Sequence, residues 1–221
     1  DEKSEIKARG ATALDLADTP TAFHITMIPD SSFLLLPRVT SERRMWAAIG
    51  WVDPPAVPSD ATTVLQDATL YDFAILTSAM HMAWLRHIGG RLKSDYRYSI
   101  GLVYNTFPWP DATPGQRAKV EALAKAVLDA RALPKNATAT LADLYDPDRM
   151  PPELFKAHRA LDAAVDRLYA PRGFADDRSR VEHLFREYEK LVMPTAAAPA
   201  ANRRTNRRVA RGAAKAKMGQ E

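Results

Sequence analysis

The chain has 221 residues, 46% of them hydrophobic, with 31 basic and 27 acidic side chains and no cysteine. That length supports one large domain or two small ones, and the missing thiols exclude a disulfide framework and any thiolate metal site. No apolar run approaches the roughly 18 residues a membrane span needs, and no signal-peptide pattern precedes the first periodic segment, so a cytoplasmic protein without membrane attachment is expected.

In chain order, Phe23 to Ile28 reads as a strand closed by Pro29, Asp30, Ser31 and Ser32. Phe33 to Val39 is nearly all apolar and predicts a strand buried on both faces. Met45 to Val52 predicts a third strand, ended by Asp53, Pro54 and Pro55, and Thr62 to Leu65 a fourth. Leu70 to Ile88 carries Leu70, Phe73, Leu76, Met80, Trp84 and Ile88 at helical spacing, and Gly89-Gly90 supplies the stop signal. Arg97 to Thr106 predicts a last strand before the prolines around Trp109.

From Thr113-Pro114, an N-cap with an N1 proline, the pattern turns helical. Helices are predicted over Ala118 to Leu133, Pro152 to Tyr169 and Asp177 to Met193, with a short turn over Leu141 to Tyr145. Val120, Leu123, Val127 and Leu128 in the first, and Val181, Leu184, Phe185, Tyr188 and Leu191 in the last, are the expected core stripes. After Pro194 the chain loses apolar periodicity and gathers Arg203, Arg204, Arg207, Arg208, Arg211, Lys215 and Lys217 against Glu221. Such composition predicts a disordered basic tail. Setting it apart leaves a slight acidic excess over the rest, so contact with a polyanion there requires a local patch.

The expected fold is α+β. A small, mixed but mainly antiparallel sheet with one long helix fills residues 1–112, an all-α bundle fills 113–193, and the disordered basic tail fills 194–221. The chain opens on Asp1 and not on Met, which predicts a piece of something longer or a processed or trimmed chain.

The most informative segment follows the glycine pair. Arg91, Lys93, Asp95 and Arg97 recur at every second position, with Leu92, Ser94 and Tyr96 between them. In an extended segment these four would project from one face. Arg or Lys can donate to guanine O6 and N7, and Asp can accept from cytosine N4. The same alternation also suits a solvated strand face with cross-strand ion pairs.

Other motifs carry less. Asp53-Pro54-Pro55-Ala56 is close to the Asp/Asn-Pro-Pro-aromatic box of amino-methyltransferases, but alanine cannot stack on a flipped base. No glycine-rich strand-to-helix turn for a nucleotide cofactor is present. The five histidines lack ligand spacing, and His81, in an apolar helix, reads as a hydrogen-bonded core histidine.

The block Arg91 to Pro110, with Thr40-Ser41-Glu42-Arg43-Arg44 and Met80-His81-Met82-Ala83-Trp84 upstream, resembles the MmeI-like family. These are single-chain type IIL restriction-modification enzymes and related class I adenine-specific DNA methyltransferases. The resemblance runs from about Leu16 to Leu191 and covers the second part of the target-recognition domain and the helical C-terminal domain. It implies that base identity is set by residue pairs that change together: Lys93 with Asp95, the combination associated with guanine, then Arg38 with Asp60, and Ala61 with Arg97. Ser41, Arg43, Arg44 and Arg91 are candidates for holding phosphates. The implied partners are double-stranded DNA and an N-terminal methyltransferase domain of a parent chain. S-adenosylmethionine, and magnesium where a nuclease is present, belong to that parent, and no cofactor is expected in this chain. Two other classes stay open: an enzyme with a cryptic site, and a helical protein-interaction or structural module that reads no DNA.

Overall fold

The structure is a computed structural model, and it describes residues 29–193. The expected strand at 23–28 and the basic tail lie outside the described residues.

Two small antiparallel sheets precede the helices. In the first, β1 (Phe33–Pro37) lies between β3 (Gly50–Val52) and β4 (Thr62–Leu65), with Leu34 opposite both Trp51 and Leu65. In the second, β6 (Asp95–Arg97) lies between β2 (Val39–Thr40) and β5 (Gly90–Leu92). The predicted strand over Phe33 to Val39 is therefore shared between two sheets, and Arg38 stands at the crossover.

Three predictions are corrected. The strand expected from Met45 to Val52 survives only as β3. Trp46 leaves the sheet and enters the helices, where its ring stacks on His158 at 4.6 Å and Nε1 donates to Asp162 at 3.0 Å. The helix expected over Leu70 to Ile88 is two, α1 (Leu70–Leu76) and α2 (Ala79–Ile88). Ser78 restarts it: its hydroxyl accepts from the His81 N–H at 3.3 Å, and the Asp162 carboxylate accepts from the Ala79 N–H at 2.7 Å. Two donors that an unbroken helix would pair internally thus find other acceptors. The strand expected over Arg97 to Thr106 stops at Arg97. Tyr98 turns into the core to meet His81, and Ile100–Tyr104 coil into one π-helical turn.

The remaining helices follow the sequence closely. They are α3 (Pro114–Arg131), α4 (Leu141–Leu144), α5 (Pro152–Tyr169) and α6 (Asp177–Val192). Thr113 and Gln116 form a reciprocal capping box at the start of α3, as the Thr113-Pro114 signal predicts. In α3 the buried positions are Val120, Ala124, Val127 and Ala130, while Leu123 and Leu128 are only half-buried. In α6 Val181 and Leu184 are buried, but Phe185 packs one side on Trp84 and Leu191 is exposed beyond the core.

One core runs across residue 112. Helices α1 and α2 pack against α3, α5 and α6, and their buried side chains form a continuous apolar cluster. The sheets join this core through Leu34, Leu36 and Tyr96.

Candidate nucleic-acid interface

The segment Arg91 to Arg97 is a hairpin and not a single strand. Strands β5 and β6 pair Gly90 with Arg97, Arg91 with Tyr96 and Leu92 with Asp95, joined by the two-residue turn Lys93-Ser94. Lys93 opens the turn at φ 56°, a left-handed conformation uncommon outside glycine. Gly89 lets the hairpin start close against α2, because a Cβ there would lie 2.5 Å from the Leu85 carbonyl oxygen.

The hairpin corrects the single ridge of four charges. Residues directly opposite across an antiparallel pair share a face. Asp95 and Arg97 therefore share one face with Leu92, Gly90 and Val39. Arg91 lies on the other face with Tyr96, its guanidinium 4.0 Å from the ring centroid and donating to the Ser94 carbonyl at 2.8 Å. Lys93 stands exposed at the tip.

The residues carried over from the resemblance meet in two groups. Arg38 donates its backbone N–H to the Ala61 carbonyl at 2.9 Å and its Nη1 to the Asp60 carbonyl at 2.7 Å. It accepts from the Tyr98 N–H at 2.8 Å, one residue past Arg97. Arg38, Asp60, Ala61 and Arg97 thus sit side by side although they span some sixty positions of sequence, and all four are exposed. A shallow groove of about 420 Å³ opens between Arg38, Arg97, Gly90 and the Ile100–Leu102 turn. The second group is Lys93 with Asp95, where the half-buried Asp95 carboxylate accepts from the Glu42 N–H at 3.2 Å through Oδ1. Among the described residues, no carboxylate lies within ion-pair distance of Arg38, Arg91, Lys93 or Arg97.

In the turn after β2, the residues expected to hold phosphates have partners within the chain. Ser41 is half-buried, and its hydroxyl accepts from the Arg43 N–H. Arg43 pairs with Asp148 at 2.6 Å, which raises its pKa through that hydrogen bond and charge. Arg44 reaches the Ala142 carbonyl at 3.4 Å. Both cations are directed to the helical part of the chain, although the Arg43 pair is exposed and open to exchange.

Arg86, near the end of α2, was not singled out by the sequence. Its Nη2 donates to the Met45 carbonyl at 3.1 Å and its Nη1 pairs with Asp177 at the start of α6. Asp177 also takes Arg180, which is buried and pairs with Asp166 at 2.8 Å. This network ties the turn beside the hairpin to the bundle. A cation in the last helical turn is the only local hint, and it says nothing of the distant partners.

The remaining candidates resolve blandly. His81 is buried, its Nε2 lies 3.1 Å from the Tyr98 hydroxyl, and desolvation lowers its pKa to about 3. It is a neutral core imidazole. Asp53 to Ala56 forms a turn after β3, closed by the Ala56 N–H donating to the Asp53 carbonyl. No cluster of three potential metal ligands occurs among the described residues.

The class of module is set by a small exposed sheet that carries an acid and cations without carboxylate partners among the described residues, followed by a set of helices. Residues 3–111 match the family profile of the MmeI target recognition domain, and residues 112–195 that of the MmeI C-terminal domain. The chain belongs to the MmeI family. DNA methyltransferase A of Bacillus subtilis (strain 168) is 38% identical to it over 191 residues, which is 86% of this chain and 21% of that protein. The solved structure of the type IIL restriction-modification enzyme MmeI in complex with DNA matches with a TM-score of 0.78 at 41% identity, over 84% of this chain and 25% of that one. The chain therefore spans about a fifth to a quarter of the length of these relatives.

Proposed function

We propose that this chain reads the target sequence in double-stranded DNA for a larger adenine-specific (N6) DNA methyltransferase of the restriction-modification type. The observation that carries the reading is the convergence of Arg38, Asp60, Ala61 and Arg97 beside the Lys93–Asp95 hairpin, on an exposed face with unpaired cations. In this role a guanidinium or ammonium group donates to guanine O6 and N7, and a carboxylate takes the cytosine N4 amino group. The face rests on paired backbone and on one continuous core, so the readers are held in place before DNA arrives. The N-terminal methyltransferase domain of the parent supplies S-adenosylmethionine, and magnesium where cleavage accompanies methylation. Within this chain Ala56 stands where the amino-methyltransferase box carries its stacking aromatic, so no step of methyl transfer is assigned here.

The test is Arg97→Ala in the intact parent. Base reading predicts relaxed preference at one position, by about 1–3 kcal/mol, with little change in the salt dependence of binding. Uniform weakening on all sequences, with the salt slope lowered by about 1, would assign Arg97 to a phosphate instead. Unchanged binding of target and scrambled duplexes alike would remove the face from the interface.

A further inference from the structure

The face that carries Asp95 and Arg97 also carries two aliphatic side chains that its exposure does not explain. Val39 lies directly opposite Arg97 across the β2–β6 pair, and Leu92 directly opposite Asp95 across the β5–β6 pair. Val39 is 36% and Leu92 51% exposed, whereas Thr40 and Tyr96 on the opposite face are buried. A sheet with one solvated face is ordinarily polar there, and these two positions break that pattern. Neither side chain belongs to the core cluster.

Their neighbours indicate the occupant. Val39 and Leu92 stand on the two outer strands of this sheet, with Asp95 and Arg97 of the central strand between them. Arg97 shares this face, Arg38 lines the same groove as Arg97, and Lys93 stands exposed at the hairpin tip. These three cations find no carboxylate partner among the described residues. A face that sets such cations beside exposed aliphatic side chains suits a polyanion that also offers apolar groups. The major groove of DNA presents one such group, the C5-methyl of thymine. Gly90, the other neighbour of Arg97, contributes no side chain and leaves that flank open to an approaching base edge.

We propose that Leu92 and Val39 are specificity residues that contact thymine methyl groups beside the base pairs read by Asp95 and Arg97. This rests on the DNA-reading function proposed above. Hydrogen-bonding readers and methyl readers then alternate across one face, so that each polar contact is flanked by an apolar one. Shape selection at the flanking thymine adds to the polar code without a further charge.

The experiment uses the intact parent and its own target, identified by sequencing methylated sites. Each thymine of the target duplex is replaced in turn by deoxyuridine, which lacks only the C5-methyl. The native enzyme should lose about fourfold in affinity at one or two thymines, the factor that burial of one methyl-sized group contributes. Leu92→Ala should abolish the sensitivity at one of them and Val39→Ala at the other, with thermal stability unchanged. A flat uracil profile in the native enzyme overturns the proposal, as does a profile that persists in both variants. Equal weakening on every duplex also overturns it. So does a loss of thermal stability with an unchanged profile, the result expected if another part of the parent covers this face. If Arg97→Ala relaxes base preference while the uracil profile is flat, DNA reading stands and only the methyl contacts fall. If both are flat, both fall.

Discussion

Asp162 should be a highly sensitive position. It is 2% exposed and accepts from Trp46 Nε1 at 3.0 Å and from the Ala79 N–H at 2.7 Å. It thereby fixes the loop after the recognition turn, the start of α2 and the middle of α5 at one point. Asp162→Ala leaves two buried donors without an acceptor, at about 1–3 kcal/mol each. The expected loss is about 2–6 kcal/mol, set against a typical total of about 5–15 kcal/mol. Urea unfolding at unchanged m-value measures it. Asp129→Ala, which removes only an exposed partner of Lys125, is the control and should cost under about 1 kcal/mol. Burial also raises the Asp162 pKa to about 6, above its ordinary 3.8. A carboxyl raised by folding stabilises most when protonated. Its contribution is fully present below the unfolded pKa and is lost as pH rises through about 6, over a range of roughly 3 kcal/mol. The stability of the native chain relative to Asp162→Asn should therefore increase as pH falls from about 7 to about 4. A flat or opposite trend, or an Asp162→Ala cost no larger than the control, would refute the reasoning.

Three further outcomes follow from the same contacts. Gly89→Ala places a methyl against the Leu85 carbonyl oxygen and should cost about 1–3 kcal/mol while displacing the hairpin; an unchanged melting temperature would deny that close approach. Arg86→Ala frees the Met45 carbonyl and Asp177, and should lower DNA affinity without changing which bases are preferred; a changed preference in methylated-site sequencing would make Arg86 a reader and not a brace. Removing residues 194–221 takes away seven cations and should flatten the salt dependence of DNA binding; an identical slope would show that these cations do not meet DNA.

The helices were legible because their signals are local. Pro152 opens α5, and Leu154, His158, Leu161 and Val165 repeat at helical spacing, so the sequence and the structure agree on Pro152–Tyr169. The hairpin was not legible, because Lys93-Ser94 lacks the Asn, Asp or Gly that ordinarily marks a two-residue turn. Alternation alone then read as one strand and put Arg91 on the wrong face. The break at Thr77–Ser78 had a local cue in Ser78, yet the uninterrupted apolar spacing outweighed it. The loss of the strand before Gly50 had none, since Trp46 leaves the sheet for Asp162, 116 residues away. At the candidate site, the pairing of Arg38 with Asp60 and of Ala61 with Arg97 came from family resemblance, and their adjacency is a consequence of β1 pairing with β4 and β2 with β6. Leu92 and Val39 escaped because an aliphatic residue in a strand reads as core until its face is known.

The most direct test of DNA reading by this chain is the double replacement Lys93→Glu with Asp95→Arg in the intact parent, read by sequencing the methylated sites. The donor at the hairpin tip becomes an acceptor suited to the cytosine amino group, and the acceptor in β6 becomes a donor suited to guanine. Losing the Asp95 bond to the Glu42 N–H should cost about 1 kcal/mol of stability, which leaves the fold intact. Each single replacement should impair activity, since one mismatched contact costs about 1–3 kcal/mol. The double variant should instead be active on a target changed at one base pair, a strongly non-additive result. Methylation confined to the original target, merely weakened, would contradict the account and leave Lys93 and Asp95 as structural residues of the hairpin.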